Sequence, residues 1–262
     1  MSNAALHVAR TGLDAQSNRM RVIANNLANV NTTGFKRDRA SFETLAYQAI
    51  TSAGATSSGD NKYAVGTNLG SGVQINGTAR IDTQGSQQQT GNTFDLMIEG
   101  SGYFQIQMPD GTTGYTRAGD FTPSAEGKLV TSDGMAVTPE ITIPEGATKI
   151  TIAPDGTVSA NLAGQTESSQ LGKIQIARFT NPAGLDSVGN NLLVETAASG
   201  NAQVGDPSID GRGAIRSGTL ESSNVNITEE LVDMIECQRA YEVNSKMIKA
   251  TDEMLQYVNQ QL

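Results

Sequence analysis

The two ends of the chain carry a repeat of seven that the middle lacks. From Asn3 to Val30 there is no proline and a single glycine, Gly12, and Leu6, Leu13, Met20 and Leu27 recur every seven residues. Ala9, Gln16, Ile23 and Val30 follow each of them by three, an a/d seam interrupted once, at Gln16. The pattern predicts an amphipathic helix about 40 Å long at 1.5 Å per residue. It should stop near Asn31-Thr32-Thr33-Gly34, where glycine can take the left-handed cap. At the other end Ile227, Met234, Tyr241, Ile248, Leu255 and Leu262 are again seven apart, with Leu231, Cys237, Met247, Met254 and Val258 widening the stripe. Asn226 with Glu229 reads as a capping box, and Glu229 and Glu230 fall in the first turn, where carboxylates favour the helix dipole.

Between the ends the period falls to two. Val73, Ile75, Ala79 and Ile81 alternate with polar residues, as do Phe94, Leu96 and Ile98, then Phe104, Ile106 and Met108. Asp110-Gly111, Glu126-Gly127, Asp133-Gly134 and Asp155-Gly156 supply turns between short strands. Two similar phrases, Ile141-Thr142-Ile143-Pro144 and Ile150-Thr151-Ile152-Ala153-Pro154, read as strand-plus-turn units. From Thr51 to Gly72 the chain is rich in Gly, Ser, Thr and Asn, with few apolar anchors. It reads either as a flexible linker or as an extended segment ordered by neighbouring subunits.

The expected fold is therefore mixed: long N- and C-terminal α-helices packed as a coiled-coil-like layer, a central all-β module and an extended connecting segment. The boundaries fall at 1–34 and 225–262 for a terminal helical assembly domain, 35–72 and 211–224 for the connecting region, and 73–210 for an outer β domain. Two long helices make only one thin layer, so pairing them leaves apolar surface that needs a partner. Self-assembly, a closed coiled-coil dimer and a simple stalk all fit this pattern.

Composition narrows the partners. The chain has 262 residues, with 18 Lys plus Arg against 27 Asp plus Glu and a net charge of −9. That sign argues against nucleic acid and anionic membrane surfaces. The first ten residues show no secretory signal pattern, and no apolar run is long enough to span a bilayer. One cysteine, Cys237, precludes an internal disulfide and reads as a small apolar helix residue. With one histidine, His7, distant from it, a thiol or zinc site is hard to build, so no catalytic, metal or cofactor residue is assigned. Asp110, Asp133 and Asp155 precede glycine in turns, where Asp has a local backbone role, and Gly70-Ser71-Gly72 and Gly100-Ser101-Gly102 complete no nucleotide fingerprint. A peptidoglycan-cutting enzyme and a monomeric adhesin or carbohydrate-binding module are the competing classes.

Three phrases carry a resemblance. Ala24-Asn25-Asn26-Leu27-Ala28-Asn29-Val30-Asn31-Thr32-Thr33-Gly34-Phe35-Lys36 is similar to the N-terminal signature of the flagellar rod and hook axial proteins. Ser223-Asn224-Val225-Asn226, running through Glu229-Glu230-Leu231 to Gln238-Arg239-Ala240-Tyr241-Glu242-Val243-Asn244, is similar to their C-terminal signature. Gly100-Ser101-Gly102-Tyr103-Phe104, Tyr115-Thr116-Arg117-Ala118-Gly119-Asp120-Phe121 and Gly127-Lys128-Leu129-Val130-Thr131 resemble the family's centre. Within the family the resemblance points to the distal, straight part of the rod, a proximal rod protein being the nearest rival.

The resemblance implies a non-enzymatic subunit of a helical homopolymer, without cofactor, that carries torque from motor to hook. The terminal helices would line an inner tube around an export channel, with the β module outside. Partners would be copies of itself, proximal rod proteins, the hook protein, the ring proteins of the peptidoglycan and outer-membrane layers, and the type III export apparatus that carries it out without a cleaved signal. It would act in the basal body, from periplasm to outer membrane, without inserting into a membrane. Assembly contacts are expected at Leu6, Leu13, Met20, Ile23 and Leu27 with Ile227, Leu231, Met234, Tyr241, Ile248 and Leu255. The amides of Asn25, Asn26 and Asn29 are read as register-fixing groups where helices converge, over the plainer reading of polar residues at a helix end. The segment beginning at Tyr47 and Gln48 and carrying Thr51, Gly54, Gly59, Tyr63, Gly66 and Leu69 would correspond to an insertion that keeps the rod straight. Lys36, Arg37 and Arg39 form a basic patch that is either solvated or met by acids of a neighbouring subunit.

Overall fold

The computed structural model describes residues 2–58, 61–162 and 168–261. The chain divides into two compact units. The first comprises Met1–Leu27, Asp38–Ala79 and Ile227–Leu262, and the second Ala28–Arg37 and Arg80–Asn226.

In the first unit, helix α1 spans Ser2–Ala28 and helix α2 spans Ile227–Gln261. Both runs are free of proline, and α2 begins directly after Asn226 with Glu229 and Glu230 in its first turn. The two helices do not form the expected coiled-coil-like layer. They run antiparallel and meet along a line of small and polar residues. A Cβ on Gly12 would lie 3.1 Å from the Asn244 amide nitrogen. The Cys237 thiol donates to the Gln16 carbonyl at 3.1 Å, Arg19 pairs with Asp233 at 3.0 Å, and Asn26 donates to Glu230 at 3.2 Å. A coiled coil inserts apolar a and d side chains into holes on its partner. Here Leu6, Leu13, Met20 and Leu27 are only half-buried, and Ile227, Leu231 and Tyr241 stay exposed, because close-packed small residues set the line of approach.

The expected extended connector is also corrected. The chain after Arg37 is a paired ribbon: Asp38–Thr44 pairs with Val73–Arg80, Tyr47–Thr51 with Thr67–Gly70, and Thr56–Ser58 with Asn61–Lys62. Ladder pairing satisfies the backbone groups of a segment too poor in apolar residues to build a core. Gly59 lies outside the described residues.

The second unit holds the apolar core. Its main sheet has seven strands, ordered Asp186–Gly189, Leu192–Val194, Thr113–Thr116, Tyr103–Gln107, Ile176–Arg178 and Gln203–Gly205, with Val137–Thr138 also pairing Tyr103–Gln107. The period of two in Tyr103–Gln107 sorts the faces. Phe104 and Ile106 enter a cluster with Leu96, Ile98, Phe121, Val137, Ile174 and Ile215. Tyr103 joins Tyr115, Phe179, Leu185 and Leu193 in a second cluster. Phe104 stacks edge-on against Phe121 at 5.1 Å, and Phe179 does so against Tyr115 at 4.8 Å. The two similar phrases part company here. Ile150 to Ile152 belongs to the strand Ala147–Ile152 of a three-stranded sheet, whereas Thr142 makes only an isolated bridge to Lys128. Pro139 and Pro144 flank the latter and cannot donate to a ladder.

Candidate assembly surface and the buried junction

The helix pair buries few of the residues singled out by the heptads. On α1, Ile23 and Asn26 are buried, Leu6, Leu13, Met20, Leu27 and Asn29 are half-buried, and Asn25 is exposed. On α2, Met234 and Ile248 are half-buried, while Ile227, Leu231 and Tyr241 are 48%, 44% and 43% exposed. The side chain of Leu255 lies outside the described residues. Heptad counting missed Val232, Ile235 and Val243, each more than half exposed on α2. Their signal was composition: a helix apolar on more than one face has more to cover than one partner can take.

The three asparagines separate. The Asn26 side chain is held at both ends. Its amide nitrogen donates to the Asp38 carbonyl at 2.9 Å and to Glu230, and its oxygen accepts from the Asp38 N–H at 2.9 Å. One amide thus ties α1 to α2 and to the first strand of the ribbon, and Glu230, 3% exposed, finds a donor in the interior. Asn29 accepts from the Thr32 hydroxyl at 3.2 Å, a local turn bond. Burial raises the Cys237 thiol pKa above its ordinary value, which disfavours the reactive thiolate.

The ribbon brings the insertion residues into register. Tyr47 pairs with Gly70, Gln48 with Leu69 and Thr51 with Thr67, and the Gly54 N–H donates to the Tyr63 carbonyl at 2.8 Å. A Cβ on Gly66 would sit 2.7 Å from the Thr51 carbonyl oxygen. Tyr47, Ile50, Tyr63, Val65 and Leu69 all remain exposed. At the ribbon's base the His7 ring meets the Ser71 carbonyl at 3.2 Å, and the Val73 N–H donates to the Thr11 hydroxyl.

The basic patch splits. Arg39 is exposed, but Lys36 points inward at 5% exposure and donates to Glu221 at 2.5 Å and to the Thr83 carbonyl at 2.8 Å. Glu221, 1% exposed, also accepts from the Gly85 N–H, and its second oxygen lies 3.7 Å from Arg117. Arg117 itself donates to the Ile98 and Gly100 carbonyls. Desolvation lowers the Lys36 pKa, opposed by the attraction of Glu221. Gly34, at φ +69°, turns the chain here; a Cβ would sit 2.6 Å from the Arg117 and Ala118 backbone. The N-terminal, central and C-terminal signature phrases therefore converge on one buried junction. Glu221 was not visible beforehand, since a lone Glu between Leu220 and Ser222 gives no sign that it faces inward.

These features define a class: a structural subunit whose chain ends fold together and carry exposed apolar residues. Comparison with known families gives it a place. Residues 6–36 match the flagella basal body rod protein family, 97–160 the flagellar hook protein FlgE/F/G D1 domain, and 216–261 the flagellar basal body rod FlgEFG protein C-terminal family. The chain is 48% identical to the flagellar basal-body rod protein FlgG of Buchnera aphidicola subsp. Acyrthosiphon pisum, covering 98% of each. It is 47% identical to that of Borreliella burgdorferi, covering 97% of each, and 41% identical to that of Bacillus subtilis, covering 96% of each. The chain belongs to the flagellar basal-body rod protein family, as a structural component of the bacterial flagellum.

Proposed function

We propose that the chain is a non-enzymatic subunit of the distal rod, polymerising through its terminal helices into a straight, hollow shaft that carries torque to the hook. The observation that carries this reading is the row of large apolar residues left exposed on α2, above all Val232, Ile235 and Val243. About half of each is left uncovered by the described residues, and burial against copies above and beside it would supply that cover. On this reading segments 1–34 and 225–262 form the assembly domain, 73–210 the outer domain, and the ribbon stiffens the shaft through the exposed Tyr47, Tyr63 and Leu69. The partners are further copies, proximal rod proteins, the hook protein and the ring proteins. The site of action is the basal body between periplasm and outer membrane, reached by type III export. The net charge of −9 would limit adhesion to the surrounding rings, and reversing surface acids should raise friction in a tethered-cell rotation assay.

Electron microscopy of the purified full chain at rising concentration tests the reading. Wild type should form straight tubes, while Leu13→Asp should stay monomeric with the β-sheet spectrum unchanged. Tubes of normal length from Leu13→Asp would remove α1 from the interface, and a wild type that stays monomeric when seeded with isolated rods would remove the polymer.

A further inference from the structure

Residues 29–37 follow α1 in the chain, and residues 222–226 precede α2. Within the second unit these two segments hold each other. The Gly34 N–H donates to the Glu221 carbonyl at 2.7 Å, the Arg37 N–H to the Asn224 side-chain oxygen at 2.7 Å, and the Asn224 N–H to the Phe35 carbonyl at 3.4 Å. The Asn224 amide nitrogen also reaches the Ile81 and Thr83 carbonyls, and Lys36 shares the Thr83 carbonyl. At the centre is the Glu221 carboxylate, which faces two buried cations, Lys36 and Arg117.

The charge arithmetic is lopsided. With residue 221 in place, one carboxylate compensates two cations that are each less than a tenth exposed. Without it, two like charges share an interior site and Lys36 keeps only the weaker attraction of Asp82, and an undercompensated buried charge opposes the fold strongly. The chain is made from its N-terminus, so Lys36 and Arg117 exist long before Glu221. Until it arrives, the segment after α1 lacks its counter-charge and its backbone acceptor together.

We propose that Glu221 is an interlock: it makes the ordering of residues 29–37 conditional on residues 222–226, so neither segment is fixed without the other. This rests on the geometry of the second unit and holds whatever the chain assembles into. A chain truncated or stalled before residue 221 would leave residues 29–37 unfixed.

Amide hydrogen exchange on the full chain tests it. Glu221→Gln keeps the shape and the backbone carbonyl but removes the charge. Exchange at Gly34 and Arg37 should rise roughly 10- to 100-fold, with a matching rise at Asn224 and Val225, while the strand Tyr103–Gln107 keeps its wild-type rates. Lys36→Met combined with Glu221→Gln should recover part of the protection, because one uncompensated cation is then gone. Asn224→Ala, which cuts only neutral bonds, should loosen the same two segments less. The proposal fails if one segment loosens without the other, if neither does, or if exchange rises equally in Tyr103–Gln107. Should Glu221→Gln not fold, the Asn224→Ala pattern decides between the same outcomes.

Discussion

The two units of this chain solve opposite problems. The second holds a closed core: Phe104, Ile106, Ile174, Ile176 and Ala177 are completely buried, and the aromatic rings meet edge to face. The first buries two polar side chains deep in the helix pair while leaving large apolar ones exposed. Asn26 and Glu230 lie at 2% and 3% exposure, while Ile235 and Val243 on the same helix as Glu230 are more than half exposed. A hydrophobic surface of that kind is a cost to a monomer and a driving force for an assembly. The comparison teaches that stability and association are separated in this chain, one built into each unit.

The separation can be tested from both sides. Phe104→Ala removes a ring from the closed core and should destabilise the second unit by about 3–5 kcal/mol in urea unfolding, since the cavity has no solvent to fill it. Ile235→Ser should leave that unfolding transition within about 0.5 kcal/mol of wild type but raise the concentration needed for tube formation more than tenfold. If Ile235→Ser unfolds the chain instead, the division of labour is wrong. Asn26→Ala removes the amide's bonds to Glu230 and to the Asp38 backbone and should loosen α1 by about 1–3 kcal/mol, read as faster amide exchange along that helix. Arg19→Ala, which breaks a pair whose side chains are 35% and 38% exposed, should cost no more than about 1 kcal/mol in the same assay.

The smallest effect belongs to the turns. Hydrogen bonds from Thr112 hold the Asp110 carboxyl pKa below its ordinary 3.8, and Thr157 does the same for Asp155. A depressed carboxyl pKa contributes stability above the unfolded value, and that contribution is lost as the pH falls through the folded value. The stability difference between wild type and Asp110→Ala should therefore be constant well above pH 3.8 and fade as the pH falls below 3.8 and through the lower folded value. A difference that persists at lower pH would mean that the side chain holds the turn without its charge.

Local patterns announced the elements better than their partners. Seven-residue spacing and the lack of proline gave the terminal helices, with α1 ending at Ala28. The same spacing misdirected the packing, because it assumes that the largest apolar residues meet. Gly12, Gln16 and Cys237 allow a closer approach along a different stripe, and nothing local marks that choice. The ribbon was hidden for a related reason, since its pairing depends on residues such as Tyr47 and Gly70 finding each other across a Gly- and Ser-rich stretch. Lys36 looked like a surface cation because its carboxylate is 185 residues away in sequence. Leu220 looks like the inward residue of its strand, yet Thr219, Glu221 and Ser223 are the buried ones, so the alternation there runs opposite to hydrophobicity.

Cys237 turns the helix contact into something that can be timed. It is the only sulfhydryl among 262 residues, and its hydrogen lies against the Gln16 carbonyl of the other helix. Alkylation by a maleimide must wait for that contact to open, so the labelling rate counts openings of the pair without any engineered probe. In free subunits the clock should run at the breathing rate of two helices. In tubes it should nearly stop, which would turn the degree of polymerisation into a simple mass shift.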